Sequence, residues 1–133
     1  MKLFYVALFT LCMNCALLTG AQSPSTEKVL KLLGQVILVQ DNICAAVASE
    51  KNDQQLATFC SIAYSGERAG LLAAASFLEA GDEEDAICAV LDVVKGVKQV
   101  NDMLLSRGVE EPALVKQALA IGDALQGMCP AGK

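Results

Sequence analysis

The chain has 133 residues, with 15 acidic against 10 basic side chains, no His, no Trp and 54% apolar residues. That length suits one domain. The missing His removes the commonest general base and every Ser-His or Cys-His pair, so the expectation is a protein that is not an enzyme and needs no cofactor. A net charge of −5 without a basic cluster speaks against nucleic acid as a partner, because phosphates would be repelled.

The N-terminus explains part of the apolar content. Met1 and Lys2 precede a run from Leu3 to Leu18 that only Thr10 and Asn14 interrupt, and Thr19, Gly20 and Ala21 follow as small residues. This pattern reads as a secretory signal peptide over residues 1–21, cleaved after Ala21. The run is shorter than the ~20 residues a spanning helix needs, so no stable membrane insertion is expected. The secreted domain is then 22–133: 112 residues, half of them apolar, with nine basic against 15 acidic side chains. Its four cysteines, Cys44, Cys60, Cys88 and Cys129, read as two disulfides, since an even number in a small secreted chain favours a staple over a metal site.

From residue 22 onward the apolar pattern has a helical period, and four segments emerge. The first opens at Ser23-Pro24-Ser25, where Ser caps and Pro suits a first turn, and runs to about Glu50. After the turn Lys51-Asn52-Asp53, a second runs from Gln54 to about Ala80. Its apolar face (Leu56, Phe59, Cys60, Ala63, Tyr64, Leu71, Ala74, Phe77 and Leu78) keeps phase across Gly66, which favours one helix. A break at Ser65-Gly66 would instead give five helices in all. Asp82 caps the third segment, whose first turn is Glu83-Glu84-Asp85 and which stops at Arg107-Gly108. Pro112 opens a fourth that ends near Cys129-Pro130, with a narrow stripe of Leu114, Ala118, Ile121, Leu125 and Met128. Connections this short make successive helices antiparallel, so the expected fold is all-α: an up-down-up-down four-helix bundle stapled by disulfides.

Topology also selects the disulfide pairing. Cys44 lies eight residues before Asn52 and Cys60 eight after it, so the two are level in an antiparallel hairpin, within the ~5.5 Å Cα separation a bridge requires. Cys88 and Cys129 are similarly level about the turn near Val109. The expectation is Cys44–Cys60 and Cys88–Cys129, each worth about 3–4 kcal/mol on the loop-entropy model. Cys88 winds off its helix's apolar stripe, which places the second bridge at an edge.

The acid run Asp82 to Asp85 is explained by the helix macrodipole, and it lacks the alternating ligands and central Gly of a calcium loop. More informative are polar residues on apolar stripes: Gln40 in the first helix, Asn101 in the third and, if the second helix is continuous, Glu67. At ~1.5 Å per residue they lie at depths of roughly 18, 13 and 22 Å from one end of the bundle, so they are the candidate ligand-binding residues of its interior. The competing reading is structural, with these groups at stripe edges or bonded to one another. Gly66-x-x-x-Gly70 is a small-residue pair that allows close helix approach, and Leu38, Ile62, Leu72 and Leu119 wind outward. Two functions follow. One is an extracellular carrier of a small hydrophobic molecule or lipid held in the bundle interior. The other is a secreted protein-interaction factor acting through its surface, a protein partner or homo-oligomerisation.

Overall fold

A cap opens the first helix where the sequence supplies one. In the computed structural model, which describes residues 25–130, the Ser25 hydroxyl accepts from the Lys28 amide at 3.3 Å and α1 runs over Thr26–Lys51. Residues 1–21, read as a signal peptide, lie outside the described residues. Asn52 ends α1 in the left-handed conformation (φ 53°), and its amide bonds back to Ala48 and Ser49. Asp53 then has two tasks. One carboxylate oxygen caps α2 (Gln54–Glu79) through the Leu56 amide at 3.0 Å, and the other accepts from Arg107 Nε at 2.8 Å. Arg107 follows the end of α3 (Glu83–Leu105), and its carbonyl accepts from Lys51 Nζ at 2.9 Å, so the first turn is pinned to the far end of α3. The Arg107 guanidinium, with the Leu56 amide, holds the Asp53 carboxyl below its ordinary value.

At the opposite end, Gly81 (φ 80°) turns the chain and the Asp82 carboxylate accepts from the Asp85 amide, with Glu83, Glu84 and Asp85 filling the positive first turn of α3. Thr26 Oγ1 donates to Glu83 Oε2 at 3.0 Å and ties the starts of α1 and α3 together. Gly108 (φ 82°) and Pro112 then lead into α4 (Ala113–Leu125).

α2 is continuous through Ser65-Gly66. Gly66 costs about 1 kcal/mol against Ala in a helix, which is too little to break a segment held at both ends by core contacts. The fourth segment departs from the expectation. Its helix stops at Leu125, a single 3₁₀ turn covers Gln126–Met128, and Cys129 is extended. Of the predicted stripe Ala118 and Leu125 are buried, Leu114 and Ile121 are half-buried against the core and Met128 is exposed, while the buried row shifts to include Val115 and Gly122. Gly122 accounts for this shift: a Cβ there would stand 2.6 Å from Val94 Cγ1, so α4 presses its smallest face onto α3.

Both expected disulfides are present, Cys44–Cys60 with Cα atoms 6.3 Å apart and Cys88–Cys129 with Cα atoms 5.1 Å apart. The first is buried in the core, and the second is half-buried at the bundle's edge. α3 packs against all three other helices, α1 touches α3 directly, and among the described residues α2 and α4 make no contact. The cross-section is therefore a rhombus with α1 and α3 on its short diagonal. Two apolar clusters fill it. The larger contains Leu33, Val36, Val90, Val97 and Val115, and the smaller contains Cys44, Leu56, Cys60, Val100 and Leu104.

The two cysteine pairs close loops of 16 and 41 residues, so replacing Cys44 and Cys60 with Ala is expected to lower stability by about 3 kcal/mol and replacing Cys88 and Cys129 by about 4 kcal/mol. Urea unfolding without reductant reads both, and a loss under about 1 kcal/mol for either pair would contradict the assignment. The helix glycines should separate cleanly. A Cβ at Gly70 would stand 2.6 Å from Val93 Cγ2, whereas nothing lies within 4 Å of one at Gly66. Val93 is β-branched and stiff in a helix, so Gly70→Ala should cost about 1–3 kcal/mol. Gly66→Ala should stabilise by about 0.5–1 kcal/mol in the same assay.

Candidate functional site in the groove between α2 and α3

Glu67 shares the phase of Cys60 and Ala74, each seven residues away, so an unbroken α2 carries it into the interior. It is 5% exposed. Its carboxyl lies over Gly96 of α3: a Cβ at that position would be 3.1 Å from Glu67 Cγ and 3.2 Å from Oε2. Gly96 is thus the residue that makes room for the acid. Gln40, 2% exposed, reaches the same level of α3 from α1, where its Nε2 donates to the Val97 carbonyl at 2.9 Å. Gln40 and Glu67 form a polar layer between the two apolar clusters. Asn101 is buried as well, but its Nδ2 donates to Glu111 Oε1 at 2.9 Å in the connection to α4. Of the three candidates, the fold brings Gln40 and Glu67 to one level and engages Asn101 elsewhere.

The layer is incompletely bonded. Gln40 Oε1 and Glu67 Oε2 are both buried without a hydrogen-bond partner. An unpartnered buried polar atom costs about 1–3 kcal/mol, and more if charged. Burial, aided by the Asp41 carboxylate of α1, pushes the Glu67 pKa up to about 7. Arg68, its neighbour in sequence, instead stands over the Tyr64 ring at 5.9 Å.

Glu67 also lines a groove. Along the outer seam of α2 and α3 lie two adjacent lobes of about 380 and 570 Å³ that share the lining residues Gly70, Asp92 and Lys95. From α2 come Ala63, Gly66, Glu67, Gly70, Ala73 and Phe77, and from α3 come Cys88, Ala89, Asp92, Lys95, Gly96 and Gln99. The floor is low because so many of these residues are Gly or Ala. The Cys88–Cys129 bridge closes the far end beside Phe77. The groove is open to solvent, whereas the bundle's centre is filled by side chains such as Leu33, Val36, Val90 and Val97. Sequence reasoning named Glu67 but not Phe77, Gly96 or the acid and lysine of the rim. The one available signal was Gly66-x-x-x-Gly70, whose partner across the interface only the fold identifies.

The exposed apolar residues expected from helical winding are present at Leu38, Ile62 and Leu72, while Leu119 is half-buried against the core. α1 is long and apolar enough to cross a membrane, but its stripe of Val29, Leu33, Val36 and Ile37 is buried in the larger core cluster. Among the described residues no cluster of Cys, Asp and Glu is arranged to hold a metal. Comparison with protein families, with curated proteins and with solved structures gives no match.

The raised pKa of Glu67 has a definite sign in stability. The unfolded carboxyl loses its proton near 4.5 and the folded one near 7, so between those values the native state binds the extra proton. Stability therefore falls as pH rises through that window and is flat above it. Glu67→Gln keeps the shape without the charge. Its stability relative to the parent chain should change little below pH 4.5 and gain about 3 kcal/mol by pH 8, a difference read by urea titration at each pH. A gain independent of pH would show that Glu67 is not the titrating group.

Proposed function

We propose that this protein is a secreted, non-catalytic carrier that binds an elongated hydrophobic molecule in the groove between α2 and α3. The observation that carries this reading is the coincidence of a long, shallow, small-residue floor with a single buried acid whose Oε2 lacks a partner. Small-molecule sites combine apolar walls, which give affinity, with a few polar groups that fix orientation. Two disulfides fit an extracellular setting and hold the hairpins that form the walls, so little ordering cost is left for binding. This proposal moves the site from the bundle interior, where α1 packs on α3, to the α2–α3 seam that Glu67 lines.

Nile red, a neutral apolar dye, tests the groove directly. Saturable one-to-one binding with a blue-shifted emission is expected. Ala73 is exposed on the groove wall, so Ala73→Phe should fill the groove and abolish binding without unfolding the chain, as checked by circular dichroism. Unchanged dye binding by a folded Ala73→Phe variant would reject the site.

Ile62 and Leu72, at 69% and 66% exposure on the outward half of α2, favour a second reading in which this face meets a protein partner or a second copy. Native mass that is concentration-dependent, and monomeric after Leu72→Glu, would support it. A monomer at all concentrations removes the homo-oligomer.

A further inference from the structure

We propose that the ligand's polar end is an aliphatic amine, protonated and paired with the Glu67 carboxylate, with its alkyl chain lying along the groove toward Phe77. This rests on the groove being a binding site and adds the chemistry of its occupant. Three observations lead to it. Glu67 is a carboxyl more than nine-tenths buried, it lines the groove, and its Oε2 has no partner. The groups around it supply little positive charge: Asp41 faces it from α1, Asp92 and Lys95 line the groove from α3, and Arg68 on its own helix lies over Tyr64. The groove wall as a whole carries Glu67, Asp85 and Asp92 against Lys95, on a chain of net charge −5. A fatty-acid carboxylate entering here would meet like charge, and a neutral alcohol would leave the ionised carboxylate uncompensated. An ammonium group supplies both the hydrogen-bond donors and the charge that the site lacks.

The length of the groove sets the tail. From Glu67 to Phe77 is ten helical residues, about 15 Å, the reach of an extended dodecyl chain. Binding of the amine also draws Glu67 into its ionised form, so affinity rises with pH until the carboxylate is fully formed, while the amine itself stays protonated.

Isothermal titration of the folded, oxidised chain with dodecylamine, dodecanol and dodecanoate, each below its aggregation threshold, tests the head group. At pH 8 dodecylamine should bind one-to-one and at least about tenfold more tightly than either other compound. Glu67→Gln should remove that preference while Nile red still binds. Glu50→Gln makes the same change in net charge on the exposed end of α1 and should leave the preference intact, which separates a specific pair from general attraction to an acidic protein. Equal binding of all three compounds, or a preference that survives Glu67→Gln, overturns the amine assignment while the groove stands. Absence of binding by all three, together with absence of Nile red binding, overturns the groove and the amine together.

Discussion

The arrangement of this bundle depends on how closely three helices can approach α3. Its buried row is Ile87, Val90, Val93, Val97, Val100 and Leu104, mostly short and stiff side chains; Gly70 of α2 meets this row at Val93, and Gly122 of α4 meets the half-buried Val94 beside it. Where α3 itself supplies the glycine, at Gly96, the space is taken by Glu67. Helices held this near to one axis cannot stand at the corners of a square. α1 closes onto α3, and α2 and α4 stand on opposite sides of that pair. The space that small residues create therefore opens at the α2–α3 seam. The same close packing that stabilises the fold is what shapes the groove.

The polar layer is the other consequence of this geometry. Gln40 and Glu67 lie where one apolar cluster ends and the next begins, and their neighbours leave two acceptors without donors. A chain selected for stability alone would do better with apolar residues here, since a buried carboxyl is costly in either protonation state when unpaired. Gln40 is partly compensated through Val97. Among the described residues Glu67 Oε2 has no donor, and the residue lines the groove. That asymmetry is why the functional reading centres on Glu67 rather than on the three polar residues equally. Asn101, bonded to Glu111, has a sufficient structural explanation in holding the α3–α4 connection against the bundle.

The ends of the bundle show the same economy of parts. Asp53 caps α2 and pairs with Arg107, whose carbonyl also accepts from Lys51 of α1, and Thr26 meets Glu83 at the other end, so each end has a polar tie between α1 and α3, which are not consecutive. These ties and the two disulfides fix the relative height of the helices. The groove walls are thereby held in register: Cys88–Cys129 anchors the segment after α4 beside Phe77, and Cys44–Cys60 locks the hairpin that leads into Ala63 and Glu67.

Helix number, helix order and disulfide pairing were legible in the sequence because each follows from local rules: a 3.6-residue apolar period, a cap such as Asp82, and cysteines equidistant from a turn. The burial of Glu67 was legible conditionally, since its phase with Cys60 and Ala74 matters only if α2 does not break at Gly66. What the sequence by itself could not determine is which faces meet and how closely. On α4 Ala118 and Leu125 are buried as the period implies, but Val115 and Gly122 join them, because Gly122 lets α4 approach α3 on its smallest face, and Met128 is exposed. The groove likewise depends on two helices at once, since Gly66 and Gly70 of α2 and Gly96 of α3 all line it. Periodicity assigns a residue to a face of its own helix, but the space between two helices is set by both surfaces at once, and that was decided by the tertiary structure.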